Sequence, residues 1–149
     1  MDGDAVEAGD DGAGRAAVDV HTRVRSASAH ERMQIALHGN KEERGLILRD
    51  PNAKNLHPYV LKNPQLQLDE VATIAGMRTV ATDVLQYIAG RREWAQRPEV
   101  AAALVRNPKT PVPLAIRLIP FLSVTELRQL AKTSNLRAPI LREVRKKVL

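Results

Sequence analysis

Apolar residues along most of this chain recur at helical spacing. Val71, Ile74 and Ala75 share one face; so do Val84, Tyr87 and Ile88. Val100, Ala103 and Leu104 repeat the pattern, as do Leu127, Leu130 and Ala131, and Ile140, Val144 and Val148 stripe the last segment. Each group predicts a helix of only two to three turns. Helices that short do not persist alone, so the pattern predicts stubby helices stacked on one another as a repeat array.

Breaks separate these groups at a nearly constant interval. Arg49-Asp50-Pro51, Lys62-Asn63-Pro64 and Arg106-Asn107-Pro108 are three copies of one signal: a cation, Asp or Asn, then Pro. Gly76, Gly90, Pro120 and Thr133 supply the other stops, and the steps from Asp50 are 13, 13, 14, 17, 13 and 13 residues. Proline forbids continuation of a helix, and Asn and Gly tolerate the left-handed conformation that ends one. The cation faces the negative end of the helix dipole. Gly39 is expected to fill a left-handed position of the same kind. Start signals complement the stops. Ser28 with Glu31 and Ser123 with Glu126 have capping-box spacing, and Pro58 and Pro98 suit a first helical turn. A shift of 44 residues lays Lys62-Asn63-Pro64 on Arg106-Asn107-Pro108, and Val60, Leu61, Ile74 and Ala75 on Leu104, Val105, Leu118 and Ile119.

The fold class expected is therefore all-α: a short-helix α-solenoid over residues 28–149, preceded by a disordered acidic tail over residues 1–27. Composition agrees. Aromatics are 3% of the chain, too few for a sandwich or barrel that leans on aromatic strands. Cysteine is absent, which removes disulfides, thiolate metal sites and cysteine nucleophiles. The first residues lack the apolar core of a signal peptide. The longest apolar stretch, Val112 to Leu122, is too short to span a membrane and contains Arg117. A cytoplasmic location with no membrane partner is the expectation.

The corner Asn107-Pro108-Lys109-Thr110-Pro111, followed by Leu114, Ala115 and Leu118, resembles leucine-rich-repeat-variant and HEAT or armadillo-like solenoids over roughly residues 40–149. The best-known leucine-rich-repeat-variant protein carries an iron–sulfur cluster in a separate cysteine-rich segment, of which nothing carries over here. Met33 to Gly39, Arg92-Glu93-Trp94 and Ala103 to Pro111 look more narrowly like an uncharacterised bacterial family of similar length. That resemblance implies the fold and no activity.

No chemistry emerges from the motifs. His30 and His38 stand two turns apart and do not chelate one ion together. The acidic pairs Glu42-Glu43 and Asp69-Glu70 fall in first helical turns, where the dipole favours anions. Phosphate loops, nucleophile elbows and zinc-protease motifs are missing, so neither enzymatic activity nor a cofactor is expected. Two features point to binding instead. The cations before the corners, Arg49, Lys62, Arg78, Arg91 or Arg92, and Arg106, would form a ridge if the units stack in register. Arg91 to Arg97 lies in the one long unit, where an insertion offers binding surface, with Trp94 as an anchor and Arg97 beside it. Residues 1–25 carry net −3 and the remainder +9. The expected partner is another protein, with nucleic acid as the alternative drawn by the basic body.

Overall fold

The computed structural model describes residues 20–148. All regular structure among them is helical. They divide after Gln65 into two compact units.

The first unit opens with helical residues 20–26 (α1), followed by α2 (Ala29–His38) and α3 (Lys41–Arg49). A 3-10 turn (Lys54–Leu56) then leads into α4 (His57–Leu61). Helix α1 lies where the sequence predicts tail; the rest of that expectation, residues 1–19, is outside the described residues. One buried side chain, Val24, anchors α1. Arg32 donates to the carbonyls of Val24 (3.2 Å) and Arg25 (2.7 Å), satisfying the end of the helix. A single apolar contact leaves no periodic signature in sequence. Both neighbouring helices start on side-chain caps. Ser28 Oγ accepts from the Glu31 N–H at 3.2 Å, and Asn40 and Glu43 cap each other reciprocally at 2.9 Å.

The second unit contains α5 (Leu68–Gly76), α6 (Thr82–Gly90), α7 (Arg92–Ala95), α8 (Pro98–Arg106) and α9 (Val112–Leu118). A 3-10 turn (Ile119–Phe121) extends α9, and α10 (Val124–Ala131) and α11 (Ala138–Val148) complete it. The core is built where α5 meets α8: Val71, Ile74 and Ala75 are fully buried with Val100 and Leu104. Leu85, Ala101 and Val105 are buried too, while Tyr87 and Ala103 are only half-buried. A helix enclosed on two sides buries an arc wider than one stripe. Ile140 and Val144 are fully buried, whereas Val148 at the end of the same stripe is 39% exposed.

The corners stop the helices where the punctuation predicts, but by different physics. No described residue has a positive φ. Asn107 has φ −73° and ψ 120°, and Gly39 has φ −69° and ψ 164°. The expected left-handed stops are thus corrected to extended ones. Gly39 is small because a Cβ there would collide with the Ile35 carbonyl oxygen, not because its φ is unusual.

The two asparagines act through their side chains. Asn63 Nδ2 donates to the carbonyls of Ala36 (3.1 Å) and Gly39 (3.0 Å), while its Oδ1 accepts from the Gln65 N–H at 2.9 Å. Asn107 Nδ2 donates to the carbonyls of Ala75 (2.8 Å) and Met77 (3.0 Å), and its Oδ1 accepts from the Lys109 N–H at 3.0 Å. Each amide therefore folds its own corner and pins the end of an earlier helix. Both residues are buried, where a carbonyl left without its donor costs about 1–3 kcal/mol. Asp50 forms the same turn, accepting from the Asn52 N–H at 2.9 Å. A carboxylate has nothing to donate to a carbonyl, and Asp50 lies 3.7 Å from Arg32 instead.

Candidate functional site

The second unit holds 14 Lys and Arg against 7 Asp and Glu, a net +7, while residues 1–65 are close to neutral. Two depressions in that unit gather the side chains of interest.

The larger is a groove of about 710 Å³. Its apolar floor includes Leu114, Leu118, Phe121 and Pro113, and its charged residues are Arg92 and Arg117. The geometry follows from local sequence. Pro111 and Pro113 set the first turn of α9, and Pro120 tightens the chain into the 3-10 turn that ends on Phe121. Arg92 begins α7, a helix of only four residues.

The second depression, about 540 Å³, lies at the Asn107 corner. Arg78, Arg106 and Arg137 all line it, together with Thr133 and Asn135, and among the described residues no carboxylate does. Arg106 Nη2 donates to Gln129 Oε1 at 3.4 Å, and Arg137 Nη2 donates to the Asn107 carbonyl at 3.2 Å.

Beside α7, Arg91 stacks on the Trp94 ring at 4.6 Å and stands 6.0 Å from the Tyr87 ring. The two rings are 6.1 Å apart and tilted by 60°. Arg91 also donates to Glu93 at 2.6 Å and to the Tyr87 hydroxyl at 3.2 Å. The Glu93 bond, then the Tyr87 bond, hold the Arg91 pKa above its ordinary value. Glu93 is held below the usual carboxylate range by its own backbone N–H first and by Arg91 next. Trp94 is half-buried. Its exposed face is already covered in part by Arg91, so Arg91 and Trp94 form one surface cluster.

The residues singled out in the sequence thus separate. Arg78 and Arg106 share a recess; Arg91 and Trp94 stack on each other; Arg92 belongs to the apolar groove. Arg97 is exposed, 3.9 Å from Glu99. In the first unit, Lys62 stands 5.8 Å from the Tyr59 ring. Arg49 lines a recess of about 440 Å³ with Arg25, Arg32 and Asp50. Sequence reasoning missed Arg137, Arg117, Leu114 and Phe121 as surface-forming residues. Arg137 precedes a helix rather than ending one, so a search for cations before corners passes over it. Arg117 reads in sequence only as an interruption of an apolar run.

No protein-family model matches the chain, and no curated protein or solved structure matches it. No helix among the described residues is long and apolar enough to cross a membrane.

Proposed function

We propose that this chain is a non-catalytic α-solenoid module of the leucine-rich-repeat-variant or HEAT-like kind that binds an acidic segment of another protein. The repeat reading rests on the matching bonds of Asn63 and Asn107, which recur 44 residues apart. The binding reading rests on one observation: among the described residues, the charged side chains lining the apolar groove around Leu114 and Phe121 are both arginines. Apolar anchors supply most of the affinity in such a groove, and the charges select the sign of the partner. A segment bearing one or two large apolar residues flanked by Asp or Glu matches both features.

Selection from a displayed random-peptide library with the full chain tests this reading. Acidic sequences with bulky apolar anchors are expected to be enriched. Leu114→Gln should weaken the selected peptide about tenfold, as expected for an anchor contact. Arg117→Glu should weaken it about fivefold, and more at low salt. Enrichment of basic sequences, or binding indifferent to both variants, contradicts the proposal.

A second reading, nucleic-acid binding, is favoured by the net +7 of residues 66–149. It requires affinity for generic duplex that falls steeply with salt.

A further inference from the structure

The arginine recess at the Asn107 corner is separate from the apolar groove and calls for a different ligand. We propose that Arg78, Arg106 and Arg137 form a binding site for the phosphomonoester of a phosphorylated segment of a partner protein, a phosphoserine or phosphothreonine. This goes beyond the acidic-segment reading, which stands or falls on Leu114 and Arg117.

Three guanidiniums line this recess without a carboxylate among them. Part of the charge is answered by backbone. Arg106 lies in the last turn of α8, and Arg78 follows the end of α5. Each helix end contributes roughly −0.5 of a charge, so the two together offset about one of three positive charges. Arg137 immediately precedes α11, whose first turn is the positive end of its dipole. With that positive helix end included, the recess is left with roughly two and a half uncompensated positive charges. That is enough to neutralise the roughly −1.5 to −2 of a phosphomonoester at neutral pH.

The donors are also arranged for use. Arg106 and Arg137 each make one recorded bond through Nη2, to Gln129 Oε1 and the Asn107 carbonyl. Those single bonds leave the other N–H groups of each fork available for oxyanion oxygens. Arg78 is exposed and makes no hydrogen bond or ion pair among the described residues. It is free to close over a bound group. The Asn107 staple to Ala75 and Met77 fixes the corner from which these side chains extend.

A phosphomonoester fits this arrangement better than a nucleic-acid backbone. A duplex spreads single charges along its length and is matched by cations strung along a track. Here the cations converge on one recess, which matches a concentrated dianion that accepts forked hydrogen bonds.

Fluorescence anisotropy with the full chain tests the site. The probes are a labelled peptide with one phosphoserine among neutral residues, its unphosphorylated twin, and a labelled 12-base-pair duplex. The phosphopeptide is expected to bind at least about tenfold more tightly than its twin, the scale of one charge-assisted hydrogen bond. Arg78→Gln and Arg106→Gln should each remove most of that preference. Arg106→Lys should recover only part, because lysine lacks the fork. Arg78 and Arg106 are exposed, so helical circular dichroism should be unchanged. The Leu114→Gln variant should keep the preference intact, which separates this site from the apolar groove. Equal binding of the two peptides overturns the proposal. So does a duplex bound more tightly than the phosphopeptide and lost in the same variants.

Discussion

Two recesses in this molecule each gather three arginines beside a corner closed by an Asx turn. In the first unit, Arg25, Arg32 and Arg49 surround Asp50. In the second, Arg78, Arg106 and Arg137 surround the corner of Asn107. Asp50 brings its own counter-charge, 3.7 Å from Arg32. Asn107 brings none, and its amide is fully occupied by the carbonyls of Ala75 and Met77. The same turn is made at both corners. The Asx turn is common to both corners, but the residue that makes it is a carboxylate in one and a neutral amide in the other, so among the described lining residues only the first recess has a carboxylate.

Exchanging the two corner residues should expose that difference. Asn107→Asp keeps the turn acceptor but sets a carboxylate against two carbonyl oxygens, 2.8 and 3.0 Å from the present nitrogen. A loss of about 3 kcal/mol in unfolding free energy is expected, from two buried carbonyls left without donors. Asp50→Asn keeps its turn and loses only a partly exposed pair. Its cost should stay below about 1 kcal/mol. Urea unfolding of both variants measures the contrast, and equal losses would dissolve it.

A smaller effect should distinguish the units by pH. All four histidines lie in residues 1–65. His57 is buried, with neither ring nitrogen partnered among the described residues. Burial first, and the nearby Lys54 second, hold its pKa below the ordinary 6.5. The unfolded chain therefore binds this proton at a higher pH than the folded chain does. The stability held with neutral His57 is complete above about pH 7 and falls as pH drops through 6.5, levelling off below the folded value. Amide exchange should accelerate over residues 20–65 from pH 7 to 5.5, after correction for intrinsic rates, and His57→Leu should flatten that response. An unchanged slope in the variant would exclude His57 as its source.

Much of the fold was legible because its signals are local. Stops at Asp50 and Asn107 coincide with the ends of α3 and α8, since proline and side-chain turns act within a few residues, and Gly76 and Gly90 are the last residues of α5 and α6. Pro120 was the exception: it tightens the helix into a 3-10 turn and does not end it outright. The site was less legible because it is assembled across distance. Arg137 reaches the Asn107 carbonyl over 30 residues, and Phe121 comes to the same groove as Gln86. No local spacing encodes either approach. The asparagine staples fall between these cases. Their positions were evident from the 44-residue shift, but their amide bonds to Ala36 and Ala75 depend on helices stacking first.

The proposed recognition by the apolar, arginine-flanked groove of the second unit is tested by an amide chemical-shift map of the isotope-labelled full chain, titrated with the library-selected acidic peptide. The largest shifts are expected at Arg92, Leu114, Arg117 and Phe121, all of which line the groove. Shifts confined to residues 20–65, or to the recess of Arg78, Arg106 and Arg137, would contradict it.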